Sequence, residues 1–382
     1  MNSARLRLSK KYLYSCLILT AVISWWGCSS TIHHEEPSAA EFSLTAEPWH
    51  EADSLFRCDK RWLGADGAYS IDLGKERVLW LFGDSFIDPE KSGERKNARV
   101  VRNSLALQRG YNPSKASMNF YWKVKDQRPA SFFREQDDFW FWPGGGVRIR
   151  DVLLIFLMKM QFSENALGFE SAGFSAVLID NPDLSPEKWN LKWLDTPGND
   201  LGVIVGSGSV IHIDKYVYAF GTDAEDQDVY LARWIASDVV SGDLSNIQWW
   251  GGRGVEWVKS DYISGKPEPV FSQGQMEFSV HYEHSLRSFI QIQTLSMVEA
   301  RLAYRLAADI TGPWSAMKPF FAPAEMTDKD LLVYAGKAHD ILSGADLIFT
   351  YAVNTIKTKR LLRDKTIYYP VFLKSSGFND SR

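Results

Sequence analysis

Three apolar, strand-like segments in succession form a pattern that recurs five times along the chain. The middle segment is the most regular, and its copies cover residues 78–82, 152–156, 216–220, 289–292 and 347–351, with starts 58 to 74 residues apart. A leading segment begins 10 to 12 residues earlier in each copy, at Asp66, Trp142, Gly206, Glu277 and Lys337. A third segment begins near Asn103, Phe174, Val229, Arg301 and Tyr368. Short strands at this long period predict an all-β fold, namely a five-bladed β-propeller.

The first 27 residues have the composition of an export signal. A basic stretch ends at Lys11, and the apolar run over residues 12–27 is shorter than the roughly 20 residues of a membrane span. Cys28 comes next, at the position where a bacterial lipoprotein is cleaved and lipidated. The alternative is ordinary signal cleavage. We therefore expect a lipoprotein-type signal peptide (1–27), a flexible tether (28–43), the propeller (44–375) and a mobile tail (376–382). The expected location is a bacterial cell envelope, at the outer membrane or in the periplasm, with the lipid as the membrane anchor.

The composition narrows the classes of partner. Of the 382 residues, 45% are hydrophobic and 14% aromatic, which suits strands packed between blades and also flat surfaces for sugar rings. The net charge of −4 gives no basic footprint for nucleic acid. With Cys16 in the signal and Cys28 as the anchor, Cys58 has no disulfide partner. We expect it to be a small buried residue, and a nucleophile is the alternative. We expect the protein to be a monomer.

Acidic residues at the predicted channel indicate its chemistry. The innermost strand of each blade lines the channel of a propeller, and the leading segments place Asp66 and Glu277 there. Asp84 follows a buried apolar strand and is a third candidate, which would orient or tune a partner. An unpaired buried charge is costly, whereas glycoside hydrolysis needs two carboxyl groups in a concave site. The plainer alternatives are turn residues for the two Asp and a solvated strand-start residue for the Glu.

Weaker candidates accompany these acids. Trp142 precedes Pro and Gly and suits a platform for sugar stacking, and Arg301 suits a substrate hydroxyl or carboxylate. For His339 the alternatives are a sugar contact, a ligand of a channel metal and a structural role. The sequence has neither a zinc-like Cys/His spacing nor a Gly-x-Ser-x-Gly elbow between strand and helix. No motif requires a cofactor, and a Ca²⁺ ion in the channel is left open.

The order of these motifs resembles a known family. Residues 66–70 (Asp-Gly-Ala-Tyr-Ser) and 79–86 (Leu-Trp-Leu-Phe-Gly-Asp-Ser-Phe) are similar to the opening of the domain of unknown function 4185, and further motifs extend the likeness over residues 45–375. That family is associated with glycoside hydrolase family 183, which includes endo-D-arabinanases. The resemblance implies a propeller glycosidase with acids at Asp66, Asp84 and Glu277. The expected sugar contacts are Trp142, Asn103, His339, Tyr351, Asn354 and Arg301.

The leading hypothesis is an exported glycoside hydrolase that cleaves furanosidic linkages of a polysaccharide, and the resemblance implies endo cleavage of D-arabinan. In this hypothesis Asp66 is the base, Glu277 donates a proton to the leaving oxygen, and Asp84 positions or tunes one of them. The first alternative is a non-catalytic carbohydrate-binding propeller lipoprotein. The second is a propeller that binds proteins through its loops. The enzyme hypothesis requires that the three acids converge at one end of the channel.

Overall fold

Five antiparallel sheets make up most of the computed structural model, which describes residues 42–165, 168–197, 199–296 and 299–376. The signal peptide, Cys28, the tether up to residue 41 and the tail from residue 377 lie outside the described residues, so the predictions for them stay predictions. The five sheets follow one another along the chain as blades, each with its first strand on the channel. The predicted all-β, five-bladed propeller is confirmed.

The first two blades come from the N-terminal half of the described chain. β1 (Ala46–Pro48) comes first in the chain but belongs to the fifth blade. Blade 1 consists of β2 (Trp62–Gly74), β3 (Arg77–Ile87), β4 (Arg99–Val101), β5 (Ser104–Arg109) and β6 (Ser117–Tyr121). A hairpin follows, formed by β7 (Lys123–Lys125) and β8 (Arg128–Ala130). Blade 2 consists of β9 (Trp140–Ile149), β10 (Val152–Phe162), β11 (Phe169–Ile179) and β12 (Leu191–Leu194).

The remaining three blades complete the ring. Blade 3 consists of β13 (Val203–Ile213), β14 (Tyr216–Asp223), β15 (Val229–Ile235), β16 (Gln248–Trp250) and β17 (Trp257–Lys259). Blade 4 consists of β18 (Ser279–Glu283), β19 (Ser288–Thr294), β20 (Leu302–Ala307) and β21 (Lys318–Phe321). Blade 5 consists of β22 (Leu332–Ala338), β23 (Ile348–Asn354), β24 (Val371–Ser375) and β1.

The ring closes through β1, the outermost strand of blade 5. It pairs antiparallel with β24, with Ala46 opposite Ser375 and Pro48 opposite Leu373. Pro48 is tolerated because an edge strand does not need its N–H for a further ladder. Blade 5 is therefore built from both ends of the described chain, and opening the ring requires breaking a sheet.

Glycines in the innermost strands permit close packing around the channel. A Cβ on Gly144 would lie 2.3 Å from the carbonyl oxygen of Gly206, and a Cβ on Gly145 would lie 2.6 Å from that of Gly208. Gly206 also has a φ of +78°, in the left-handed region that favours glycine. Both glycine-rich runs therefore serve the contact between β9 and β13.

A register shift in blade 5 corrects one predicted boundary. β22 begins at Leu332, so the prediction that this segment begins at Lys337 is wrong. The ladder between β22 and β23 shifts between Tyr334 and Lys337, and Ala335 has a φ of +56°. Such bulges redirect side chains and are frequent beside active sites. The two residues that flank this shift both contact acidic side chains, as described below.

Aromatic side chains fill much of the space between blades. Trp62 and Trp80 are fully buried in a cluster shared by blades 1 and 5, where Phe56 stacks on Phe372 with ring centroids 5.0 Å apart. A second cluster surrounds Trp234 between blades 2 and 3. Truncating one of these rings to Ala would cost about 3–5 kcal/mol. Packing between blades therefore uses much of the aromatic content.

Helices are few and short in the described residues. They are α1 (His50–Asp53), α2 (Ala236–Ser241) and α3 (Thr358–Arg363). Short 3₁₀ turns cover Ser54–Arg57, Arg95–Asn97, Pro186–Lys188, Asn199–Leu201, Ser260–Tyr262 and Ala324–Thr327. No helix in this part of the chain is long and apolar enough to cross a membrane. Cys58 follows the first 3₁₀ turn and is exposed, so the prediction that it is buried is wrong.

Candidate active site

Three acidic side chains from distant parts of the chain converge at one end of the channel. Asp66 lies on β2, Asp84 on β3, and Glu277 shortly before β18. The charges of Asp84 and Glu277 both act on the carboxyl group of Asp66. The convergence that the enzyme hypothesis requires is present, and it joins blade 1 to blade 4.

The surroundings of Asp66 oppose the ionisation of its carboxyl group. Its Oδ2 accepts a hydrogen bond from the hydroxyl of Tyr334 at 2.8 Å, and Asn354 donates to that hydroxyl at 3.1 Å. Burial raises the pKa of Asp66, the charges of Asp84 and Glu277 add to the rise, and the pKa reaches about 8 although the Tyr334 bond acts against it. Asp66 therefore carries a proton at neutral pH and is able to donate it.

Two donors hold the carboxyl group of Asp84 in place. Trp142 donates from Nε1 to Oδ1 at 2.9 Å, and Arg102 donates from Nη1 to Oδ2 at 3.2 Å. Burial raises the pKa of Asp84, while Arg102 and Trp142 act against this rise. The hydroxyl of Tyr368 donates to the backbone carbonyl of Asp84 at 3.0 Å. Asp84 is thus a positioned group beside Asp66 and not a free turn residue.

A buried lysine holds Glu277. The side chain of Lys337 is 2% exposed, and its Nζ lies 2.6 Å from Oε2 of Glu277 and donates to the carbonyl oxygen of Ala335 at 3.2 Å. The same Nζ lies 4.3 Å from the ring centroid of Tyr69. Burial lowers the pKa of Lys337, and the charge of Glu277 opposes this. A lysine this deeply buried needs an acidic partner, and Glu277 supplies it.

The backbone around the acids adopts conformations that cost energy. Ala68 has a φ of +92° and Tyr368 a φ of +64°, values that residues other than glycine rarely adopt. A Cβ on Gly83 would lie 2.5 Å from Oδ1 of Asp66, so a larger residue at this position would displace the Asp66 carboxyl group. Strained backbone persists where the surrounding structure holds it, and it clusters at functional sites. The strain here lies next to the three acids.

Two of the predicted sugar contacts lie beside the acids. Trp142 is partly exposed next to Asp84, and its ring meets that of Phe169 edge-on with centroids 4.9 Å apart. Asn354 is linked to Asp66 through the hydroxyl of Tyr334. Both side chains therefore belong to the same group as the three acids.

Asn103 and His339, two further predicted sugar contacts, have structural positions. Asn103 is fully buried, and its amide donates to two backbone carbonyls at 3.0 and 2.9 Å. His339 is 1% exposed, with Nδ1 bonded to Ser70 at 2.7 Å and Nε2 bonded to Thr350 at 2.8 Å. Since the donors of the Asn103 amide and both ring nitrogens of His339 are already engaged, we leave these two residues out of the proposed site.

Tyr351 and Arg301 also make contacts of their own. Tyr351 is 3% exposed, and its hydroxyl donates to Glu325 at 3.1 Å. Arg301 is partly exposed on blade 4 and pairs with Glu299. The structure does not bring either side chain into the group formed by Asp66, Asp84 and Glu277.

Four side chains that contact the acids were not among the predicted site residues, namely Arg102, Tyr334, Lys337 and Tyr368. Arg102 precedes Asn103, and because side chains alternate along extended chain, the choice of Asn103 selected the buried face. Lys337 carried a usable signal, since a lysine in a channel-lining strand needs an acidic partner. Tyr334 carried none, because the bulge that directs it cannot be read from the sequence.

A cavity of 760 Å³ follows the channel away from the acids. Tyr69 and Lys337 line its near end, and His281 and Arg148 also line it, whereas the three acids lie outside its lining. Asp84 and Glu277 remain 22% and 20% exposed, so solvent reaches the acid end directly. Within the described ranges, no group of three or more His, Cys, Asp or Glu side chains is arranged to hold a metal ion.

The fold and the acid cluster define a five-bladed propeller whose channel ends in three carboxyl groups. A family model described as Domain of unknown function (DUF5005) matches residues 50–378, so the chain belongs to that family. The resemblance to the domain of unknown function 4185 and to glycoside hydrolase family 183 is not confirmed. A search of curated proteins found no match.

Solved structures share the architecture at low sequence identity. The chain is similar to a Bacteroides ovatus ATCC 8483 protein described as a candidate hydrolase, with 14% identity and a TM-score of 0.69 over 89% of this chain and 96% of that one. A Bacteroides thetaiotaomicron VPI-5482 endo-arabinase has 13% identity and a TM-score of 0.45 over 89% and 99%. The catalytic domain of a Coprinopsis cinerea GH62 α-L-arabinofuranosidase has 9% identity and a TM-score of 0.48 over 88% and 98%. The likeness to the Bacteroides ovatus protein shows the fold.

Proposed function

We propose that this protein is a glycoside hydrolase and that Asp66, Asp84 and Glu277 are its working acids. The observation that carries the proposal is the convergence of three carboxyl groups, with different charge environments, at one solvent-accessible end of the channel. Cleavage of a glycosidic bond requires a proton donor and a carboxylate that acts as base or nucleophile. The fold likeness to the Bacteroides ovatus protein described as a candidate hydrolase supports the same class.

The charge environments support a different role for each acid. Asp66, with a pKa of about 8, holds the proton that the leaving oxygen receives. Glu277, paired with Lys337, is the carboxylate that activates water or attacks the sugar. Asp84 is held by its two donors and keeps the proton on Asp66 through its charge. These roles exchange Asp66 and Glu277 relative to the hypothesis drawn from the sequence.

The proposed substrate is a polysaccharide with furanosidic linkages that are cleaved within the chain, and D-arabinan is the polymer implied by the motif resemblance. Aromatic faces beside Asp84 support binding of sugar rings. Trp142 is partly exposed, and Trp140 meets it edge-on with centroids 6.2 Å apart. The Phe162 side chain is 73% exposed, and its ring centroid lies 4.8 Å from that of Trp140. Phe162 therefore extends the aromatic surface outward.

Product analysis tests the activity. The purified protein and an Asp66→Asn variant are incubated with D-arabinan, L-arabinan and other furanose and pyranose polysaccharides, and released oligosaccharides are separated by chromatography. Products from wild type alone, with one polymer, establish a glycosidase and its substrate class. No products from any polymer, together with equal sugar binding by both proteins, would instead favour a carbohydrate-binding propeller without catalysis.

A second experiment tests the assignment of roles with an aryl furanoside of the sugar released in the first. A good leaving group does not need a proton donor, so Asp66→Asn should retain much of its activity on the aryl substrate while losing activity on the polymer. Glu277→Gln should lose both activities, and added azide should restore turnover of the aryl substrate by supplying a small nucleophile. The opposite pattern would return Asp66 to the role of base.

We also propose that the protein is exported and anchored to a bacterial cell envelope through a lipid on Cys28. The basic stretch and the apolar run that precede this cysteine support the proposal. Cells that express the full chain are grown with a tagged fatty acid, and the Cys28→Ala variant serves as the control. Label on the wild type alone is the expected result, and equal label on both proteins contradicts lipidation at this residue.

A further inference from the structure

A second cavity lies on blade 1 beside the acid cluster. Its volume is 1180 Å³, and its lining comes from β4, the β7–β8 hairpin and residues 131–137. Ser131, which lines it, accepts a hydrogen bond from the backbone N–H of Arg102 at 3.0 Å, and Arg102 in turn holds Asp84. Burial contributes most to the raised pKa of Asp84, and Glu135, on the cavity wall, adds to it. The cavity, which we name the blade 1 groove, therefore adjoins the proposed catalytic site.

Four cations and three acids line the blade 1 groove, which gives it a small excess of positive charge in a chain whose net charge is −4. The four cations that line it are exposed, namely Arg99, Lys125, Arg128 and Arg134. None of the four forms an ion pair with another described residue. Residues 95–134 contain ten Lys and Arg and a single acid, Asp126, although the net charge of the whole chain is −4. Asp126, Glu135 and Asp137 also line the groove, so the cations form a local cluster and not an extended basic face.

The groove also offers apolar surface next to its cations. Val100 is 46% exposed, and Pro129 and Ala130 contribute to the same lining. Guanidinium groups bind carboxylates and sulfates through paired N–H donors, whereas a neutral sugar does not need them. A ring with an apolar face and an anionic substituent therefore matches both features of the groove.

We propose that the blade 1 groove is a subsite for an anionic sugar residue, carrying a carboxylate or a sulfate ester, of the glycan that is cleaved at the acid cluster. This inference rests on the proposed glycosidase activity, and it replaces neutral D-arabinan as the substrate with a polymer that carries charged residues near the cleaved linkage. The cluster of cations is local, and acidic side chains line the same groove. Such a site suits a single charged sugar better than a nucleic-acid backbone, which binds along extended basic surfaces.

Binding to the inactive Asp66→Asn protein tests the subsite without hydrolysis. Calorimetric titrations compare an oligogalacturonate, its carboxyl-reduced neutral form and a sulfated galactan oligosaccharide, at low and high salt. We expect at least one anionic oligosaccharide to bind about tenfold or more tightly than the neutral form, with the advantage shrinking in salt. The arm that binds more tightly identifies carboxylate or sulfate as the recognised group.

Two double variants locate the effect. In the Asp66→Asn background, Arg128→Gln with Arg134→Gln should reduce anionic binding to the level of the neutral form. Arg253→Gln with Lys259→Gln removes the same charge from exposed positions on blade 3 and should leave binding unchanged. Equal binding of anionic and neutral forms, equal losses in both double variants, or binding of a polynucleotide as tight as that of the anionic glycan each overturn the proposal.

Hydrolysis assays separate this proposal from the proposed function. If the wild type cleaves a neutral polymer and the Arg128→Gln/Arg134→Gln change does not alter its specificity, the subsite is wrong and the glycosidase stands. If anionic oligosaccharides bind in an arginine-dependent way but no polymer is cleaved, the glycosidase is wrong and the groove stands as a binding site.

Discussion

Asp66 and Asp183 are the same residue type at opposite ends of the channel, and their surroundings drive them in opposite directions. Asp183 pairs with Arg148 at 2.7 Å and also with Arg77, and hydrogen bonds from these two arginines hold its pKa well below the usual range. Asp66 is buried beside two other carboxyl groups, and its pKa rises to about 8. Neighbouring groups, and not residue type, decide the charge of each aspartate.

The difference separates a structural cluster from a chemical site. Arg77 comes from blade 1 and Arg148 from blade 2, so their shared bonds to Asp183 join two blades with charges that are paired. The acid cluster also joins blades, but it brings like charges together, which stability alone does not favour. Sites that tolerate such a cost are frequently those that need a shifted pKa for catalysis.

Asp66→Asn is expected to have the largest effect on activity. An amide cannot supply the proton, so kcat on the polymer should fall by about 10²–10⁴-fold. Asp183→Asn, the matched change at the other end of the channel, should alter kcat by less than about twofold, because it lies outside the proposed site. Steady-state kinetics on the identified polymer measure both. Near-normal kcat in the Asp66 variant would exclude this residue from catalysis.

Lys337→Met should cause the largest loss of stability among these variants. It leaves Glu277 partly buried without its cation, and we expect a loss of about 2–4 kcal/mol in the free energy of unfolding. Lys337→Met/Glu277→Gln should recover part of that loss, since no uncompensated charge remains. The control is Lys75→Met, an exposed lysine 3.6 Å from Asp183, with an expected change below about 1 kcal/mol. Denaturant unfolding compares the variants, and equal losses for both lysines would refute the distinction between the two ends.

The alkaline limb of the pH–rate profile should report Asp66. Because the donor is lost when Asp66 ionises, kcat/KM should fall about tenfold per pH unit above about 8. Asp84→Asn removes a like charge, so it should lower the pKa of Asp66 and move the limb to lower pH. An alkaline limb at the same pH in both proteins would show that Asp84 does not act on the donor.

The two aspartates should affect stability in opposite pH ranges, with smaller effects. The folded-state pKa of Asp66 is raised from the usual 3.8 to about 8, so its stabilising contribution is fully present in acid and is lost progressively as the pH rises from about 4 through about 8. Asp66→Asn should therefore raise Tm by about 2–4 °C at pH 9 and have little effect at pH 4. The pKa of Asp183 is lowered, so its contribution is present at neutral pH and is lost in acid.

Asp183→Asn should accordingly lower stability at pH 7 but not in strong acid. The loss should stay below about 1 kcal/mol, because a side chain that is 46% exposed is screened by solvent. Thermal unfolding between pH 3 and 9 compares the two variants with wild type. Parallel Tm curves for both variants would contradict the opposite pKa shifts.

The blades were predictable because strand length and apolar runs are local properties of the chain. The five apolar middle segments fall in β3, β10, β14, β19 and β23. Asp66, Asp84 and Glu277 could be selected for a related reason, since Asp66 and Glu277 open leading segments and Asp84 follows a middle segment. The boundary at Lys337 was wrong because a register shift at Ala335 leaves no local signal.

The partners of the acids were less predictable. Tyr334 reaches Asp66 across 268 positions in the chain, and Lys337 reaches Glu277 across 60. The sequence predicted Asn103 as a site residue where the structure has Arg102. Which of the two side chains faces the acids depends on where β5 begins, and the apolar pattern does not locate that start within one residue.

The sequence by itself determined a repeat of five three-strand units and the presence of acids beside their channel strands, because these depend on neighbouring residues. Tertiary structure alone decided which acids meet, which donors hold them and which one keeps a proton. A pKa depends on burial and on the distance to other charges, and ring closure sets both by bringing remote strands to one end of the channel.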